Sequence, residues 1–192
     1  MSALIADTDS LSSVIANHNA IDYLVRSTSF VSAVCGNAQA MSYIGGNNYA
    51  SNTLLDNSSW RTGISNSSYY TSVLNFTKAI NGRITYNGSS WSGCPINGNF
   101  GATVKLCKYT AQIGSNSFDS DIYFAFQYYS GGYTTLCTLH SSPYLPSGQT
   151  QSGLINSVPS TSMRIDKYSF SAGDSSQGTA YGYLTVWGRV DV

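Results

Sequence analysis

Glutamate is missing from this sequence: the acidic side chains are all aspartates. Lys+Arg is 9 and Asp+Glu is 9 in 192 residues, so the formal net charge is zero and charged residues make up 9%. A typical soluble domain carries about 25%. Solvated helix surfaces are normally built from Glu and Lys, so their scarcity argues against long exposed helices. The lack of any basic stripe excludes a nucleic-acid binder. No stretch approaches the roughly 18 apolar residues of a membrane span, and residues 1–10 lack a basic, apolar leader, so no membrane insertion is expected. Cysteine is sparse: Cys35, Cys94, Cys107 and Cys137 show no C-x-x-C spacing, and only His18 and His140 could join them. No metal site is expected, no cofactor is implied, and the thiols are read as free and small core hydrophobes. No phosphate-cradling glycine loop occurs.

What replaces charge is Ser, Asn, Thr, Gly and 15 Tyr. That mixture favours strands, turns and a neutral surface of hydroxyls and amides.

Cut into tens from Leu11, the first third repeats. The blocks run LSSVIANHNA, IDYLVRSTSF, VSAVCGNAQA, MSYIGGNNYA, SNTLLDNSSW, RTGISNSSYY and TSVLNFTKAI. The fourth column is always aliphatic: Val14, Leu24, Val34, Ile44, Leu54, Ile64, Leu74. The first column is apolar in four blocks (Leu11, Ile21, Val31, Met41) and then polar, where Trp60 and Tyr70 take over from the preceding column. Spacings of three and four within a block are helical. The polar columns that follow are cap and turn residues. One continuous helix would drift by roughly 80° per block. The repeat therefore predicts short helical segments, each restarted by a cap. One segment exposes a stripe too small to bury itself, so identical chains are expected to share it. Val14, Leu24, Val34, Met41, Ile44, Leu54, Ile64 and Leu74 would then form a homotrimer interface.

The block Asn37-Ala38-Gln39-Ala40-Met41-Ser42-Tyr43-Ile44 resembles the S-S-T-A-M-x-A-V decapeptide of bacteriophage tail-fibre and head-fibre proteins. Ser27-Thr28-Ser29-Phe30-Val31-Ser32-Ala33-Val34 is similar to it. The resemblance spans roughly residues 11–76 and departs from the pattern after Ala50. It implies a virion protein, assembled in the host cytoplasm, whose repeats form a trimeric stem and whose N-terminus meets a virion scaffold protein.

From about Ala79 the period changes to alternation. Asn81-Gly82 and Asn87-Gly88 are turn dipeptides. Residues 102–110, 121–129, 133–140, 163–170 and 179–192 read as strands, with Gly131-Gly132 closing a hairpin. Residues 141–159, with three prolines, read as a long exposed loop. The expected fold class is α+β: an anchor at 1–10, a helical decapeptide stem at 11–78 and an antiparallel β-sandwich or jelly-roll-like knob at 79–192.

Catalysis is not expected. His140 could belong to a Ser–His–Asp set, but no nucleophile-elbow motif accompanies it. Asp119 and Asp121 are the closest acidic pair of the knob and read as a solvated strand end rather than a glycosidase pair or a calcium site. Aromatic side chains are the better candidates, because sugar faces stack on flat rings. Trp91, Tyr128, Tyr129, Tyr133 and Tyr144 are the candidate residues for host surface polysaccharide. An architectural virion decoration, a capsule depolymerase and a monomeric lectin-like module are the rival readings.

Overall fold

The computed structural model describes residues 7–118, 120–170 and 177–190. Helices α1 (Thr8–Ala16), α2 (His18–Arg26), α3 (Val31–Cys35), α4 (Ala38–Gly46), α5 (Asn48–Asp56) and α6 (Ser58–Asn66) follow one another at decade intervals. Single extended residues separate α1 from α2, α4 from α5 and α5 from α6, whereas Ser27 and a 3₁₀ turn precede α3 and Gly36-Asn37 follow it. Asn47, at φ −115° and ψ 110°, ends α4 and starts α5. Its N–H bonds back to the Ile44 carbonyl, while its Oδ1 accepts from the Ala50 N–H at 2.9 Å. Asn17, Asn37 and Asn57 cap the next helix in the same way. Asn suits this double duty because its short amide satisfies an orphan N–H of the first turn. Where serine stands instead, at Ser27, no side-chain cap forms, and the segment opens as a 3₁₀ turn, Thr28–Phe30.

The segments wind into a coil with three helices per turn. α1 packs on α4, α2 on α5, α3 on α6, and α4 on the 3₁₀ turn Tyr70–Ser72. The cap residues also bridge the turns, each to a carbonyl 32 residues earlier. Asn47 Nδ2 donates to the Ile15 carbonyl (3.2 Å), Asn57 Nδ2 to that of Val25 (3.1 Å), and Ser67 Oγ to that of Cys35. One amide thus starts a helix with its oxygen and staples two coils with its nitrogen.

This coil corrects the expected trimer seam. Leu24, Val34, Met41, Ile44, Leu54, Ile64 and Leu74 are buried inside the one chain, and Val14 packs against the same cluster. A side chain with no accessible surface in its own subunit has none left for a neighbour. The stripes do need partners, but the third segment along supplies them. The polar turn of the first column does not open the core either. Ser51 and Arg61 stay buried, donating to the Ile44 and Leu55 carbonyls. Trp60 is fully buried in the helical core, and its Nε1 donates to the Leu24 carbonyl at 2.9 Å.

The remainder is an antiparallel β-structure, with strands β1 (Phe76–Asn87), β2 (Trp91–Ser92), β3 (Ile96–Asn116), β4 (Ile122–Tyr129), β5 (Tyr133–Ser141), β6 (Thr150–Phe170) and β7 (Gln177–Val190). Among the described residues their order is β2-β1-β7-β3-β6-β4-β5. The two 21-residue strands, β3 and β6, turn a corner together, where the register shifts between Asn99 and Val104 and Gly101 takes a φ of 75°. Bulges bend strands in this way. The single ladder therefore folds over on itself as two layers. One layer holds β1, β7, the second half of β3 and the first half of β6; the other holds the remaining halves with β4 and β5. The helical region followed by an antiparallel β-sandwich is the α+β class expected.

Two expectations fail here for identifiable reasons. Asn81-Gly82 is not a turn but lies inside β1, with Gly82 opposite Gly182. A Cβ on Gly82 would press on Ile96, and one on Gly182 on Ile165, so these glycines let the layers approach. The expected loop at 141–159 is a strand from Thr150 onward. Its first half is an edge, where Pro159 loses no ladder bond that a further strand would need.

Coil and sandwich are joined by a buried cation. Arg189, near the end of β7, donates to the carbonyls of Val73 and Gly45, each at 3.0 Å, and to Asn48 Oδ1 at 2.8 Å. Cys107 belongs to the helical core although it lies on β3. Lys105 reaches Asp56 at 3.1 Å.

Candidate functional site

The five sequence-derived aromatics do not form one site. Tyr128 faces the sandwich core, 9% exposed. Trp91 packs against Tyr86, with centroids 5.0 Å apart, and against buried Phe118. Tyr144, 69% exposed with φ 54°, sits on the loop whose backbone bonds to the Phe118 carbonyl. Trp91 and Tyr144 therefore share the end of the sandwich remote from the coil. Tyr129 and Tyr133 meet edge to face at the β4–β5 hairpin, 5.2 Å apart. Arg164 stacks on Tyr133 at 3.7 Å and donates to Gln127 Oε1, so that pair is held in a polar lattice of its own.

His140 stacks on Tyr123 and brings Nε2 to 3.0 Å from Asp121 Oδ1. Asp119 lies outside the described residues, so the proposed acidic pair has no geometry here. His18 is a surface residue of the coil and stacks on Tyr49 at 3.8 Å, whose hydroxyl donates to Asp22. The four thiols are free. Burial pushes Cys35 and Cys137 up to about 11 and Cys107 up to about 12. Cys94 is also raised to about 12, first by burial and then by its bond to Asp166. Such thiols stay protonated at neutral pH and are poor nucleophiles and metal ligands. Among the described residues no group of three or more His, Cys or Asp side chains could hold a metal, and no helix is long and apolar enough to cross a membrane.

The more extensive arrangement is one that composition alone did not single out. Alternation in β7 turns Leu184 and Val186 inward and leaves Tyr181, Tyr183, Thr185 and Trp187 on the outer face. Strand register then sets up rows across that face. Thr150, Gln112, Tyr183 and Asn81 align in one; Ser152, Thr110, Thr185 and Ala79 in the next; Leu154, Lys108 and Trp187 in the third. The third row abuts the coil and forms the floor of a cleft of roughly 370 Å³, walled by Ser65, Asn66 and Tyr70. Lys108 lies at its centre. Its ammonium is 3.3 Å over the Tyr70 ring and 5.2 Å from that of Trp187, and it donates to the Ser65 carbonyl at 3.1 Å. Burial lowers its pKa from the ordinary lysine value. The face thus combines flat rings, hydroxyls, amides and two cations, Lys108 in the cleft and exposed Arg83 opposite Tyr181. The missed signal was the outward phase of β7 beside that of β3, visible only once the two strands are known to pair.

No family model matches the chain, and no curated protein does. Among solved structures, Eiger TNF from S. frugiperda is 12% identical, with 58% of this chain and 87% of that one covered, at a TM-score of 0.29. A Bacillus endospore appendage that forms disulfide-linked pili is 11% identical, with 60% and 88% covered, at 0.28. A family 11 carbohydrate-binding module from Clostridium thermocellum, in complex with a β-1,3-1,4-mixed-linked tetrasaccharide, is 12% identical, with 61% and 89% covered, at 0.27. At TM-scores this low the likenesses carry no argument, and the architecture rests on the strand pairing itself.

Proposed function

We propose that this chain is a non-enzymatic structural and adhesive module of a virion, with the β-sandwich as its contact surface for host glycan. The observation that carries the reading is the outer face of β6, β3, β7 and β1, where Tyr181 and Tyr183 stand exposed among Thr, Gln, Ser and Asn at fixed strand spacing. Rings stack on the C–H faces of sugars while hydroxyls and amides pair with sugar hydroxyls. A sheet holds such groups in place, so little order must be gained on binding. Virion membership rests on the decapeptide resemblance, and attachment to a scaffold through the N-terminus goes with it. The coil needs no second chain to bury its stripes. Homotrimer formation falls to the sandwich or to the attachment point, where it would multiply weak glycan contacts.

Glycan arrays and phage adsorption in the presence of purified chain test this reading. Saccharide binding with blocked adsorption is expected. No bound saccharide and unimpaired adsorption would refute it and leave the architectural role.

A further inference from the structure

We infer that the cleft between coil and sandwich is a subsite for a carboxylate-bearing sugar unit, with Lys108 as the anion-recognising group. This rests on the adhesive reading and narrows it to a ligand class.

The cleft lies within the roughly 300–1,000 Å³ range of small-molecule sites. Two features distinguish it from ordinary surface relief. Lys108 is partly desolvated, and among the described residues no carboxylate pairs with it. Its present partners are two ring faces and one carbonyl, which leave donor capacity on the ammonium. Ser65 is the second feature. It is 3% exposed, lines the cleft, and its hydroxyl has no hydrogen-bond partner. Ser65 Oγ is itself shielded, so the groups a ligand would meet are the Lys108 ammonium with donor capacity to spare and the hydroxyls of Thr110 and Ser152, a set that favours a ligand rich in hydroxyls and carrying one negative charge. Trp187 and Leu154, the latter 44% exposed, supply apolar surface for a sugar ring. Thr110 and Ser152, hydrogen-bonded to each other at 2.8 Å, supply hydroxyls at the mouth. From there the rows lead past Thr185 to Tyr183, so further units of a chain would run onto the open face.

The experiment is a titration of the full chain with sodium glucuronate, read on the indole N–H resonance of Trp187. Methyl glucoside and sodium acetate serve as the uncharged and ringless controls. Trp187 should shift with glucuronate, with a dissociation constant on the order of millimolar, and less with either control. Raising salt should weaken the effect. Lys108→Gln should weaken binding by about tenfold or more with its melting temperature little changed, and Thr110→Val, which keeps the cation, by a few-fold. An unmoved Trp187, or equal binding by Lys108→Gln, overturns the subsite. If Lys108→Gln keeps full glycan-array binding and adsorption blocking, the subsite falls and the adhesive reading stands. If the unaltered chain binds nothing on the array and blocks no adsorption, the adhesive reading falls, while a Lys108-dependent glucuronate response still supports the subsite.

Discussion

The coil and the sandwich solve the same problem, burying narrow apolar stripes, at different ranges. In the coil every unit is local. A nine-residue helix about 13–14 Å long presents a few apolar side chains, and the chain turns at one asparagine to present the next set. Partners lie about three decades away, and an asparagine amide recurs at four of the joints, with serine at 27 and 67. In the sandwich the partners are remote and individual. β1 pairs with β7 across about a hundred residues, and each bulge occurs once. The difference teaches that a repeat can substitute for long-range specificity. One good joint, reused, builds a core.

Breaking the axis of the coil should have the largest effect. Leu54→Ala or Trp60→Ala should cost about 2–5 kcal/mol by denaturant unfolding. Because these residues serve an intrachain core, the mass by light scattering should stay that of the unaltered chain. A change in assembly without loss of stability would restore the shared-stripe reading. Arg189→Met tests how far the two regions unfold together. It leaves the Val73 and Gly45 carbonyls without their donor and should cost about 1–3 kcal/mol, separating coil and sandwich transitions in calorimetry. Asn57 separates cap from staple. Asn57→Ala removes both roles and should cost about 1–2 kcal/mol, whereas Asn57→Asp keeps the acceptor for the Trp60 N–H and loses only the donor to Val25. The aspartate variant should fall between the unaltered chain and the alanine variant. An aspartate variant as stable as the unaltered chain would mean that the cross-coil bond contributes nothing, and losses equal to those of alanine would mean the same of the cap. Lys105→Ala, at a partly exposed ion pair, should change stability by less than about 1 kcal/mol.

The thiols give a pH test spanning both regions. Their folded pKa values, about 11 to 12, lie above the reference value of 9.0. The stability they contribute is therefore fully present below pH 9.0 and is lost as pH rises toward those values. Thiol labelling at neutral pH should be slow in the native chain and complete in denaturant.

Much of this was legible because it is local. The aliphatic fourth column, the Asn caps and the hairpin at Gly131-Gly132 were all read from spacing and turn chemistry, and β4 alternates as expected apart from buried Ala125. The misreadings share one cause. Asn81-Gly82 has turn composition, but its glycine serves an approach between layers. Thr150 to Pro159 has loop composition because an edge strand tolerates it. Lys108 and Ser65 escaped notice, and Trp187 reads from sequence only as packing between strands or subunits, because the three come from separate segments and meet only in the cleft.

By itself the sequence determined where helices start and stop, since a cap acts within three residues of its own position. It also determined which columns must leave water. It left open what would cover them, because an apolar column demands burial without naming a partner. That choice belonged to the tertiary structure, in which the turns between segments bring the fourth helix back onto the first. The same holds for the cleft, whose cation and rings become neighbours only through strand pairing and the docking of the coil.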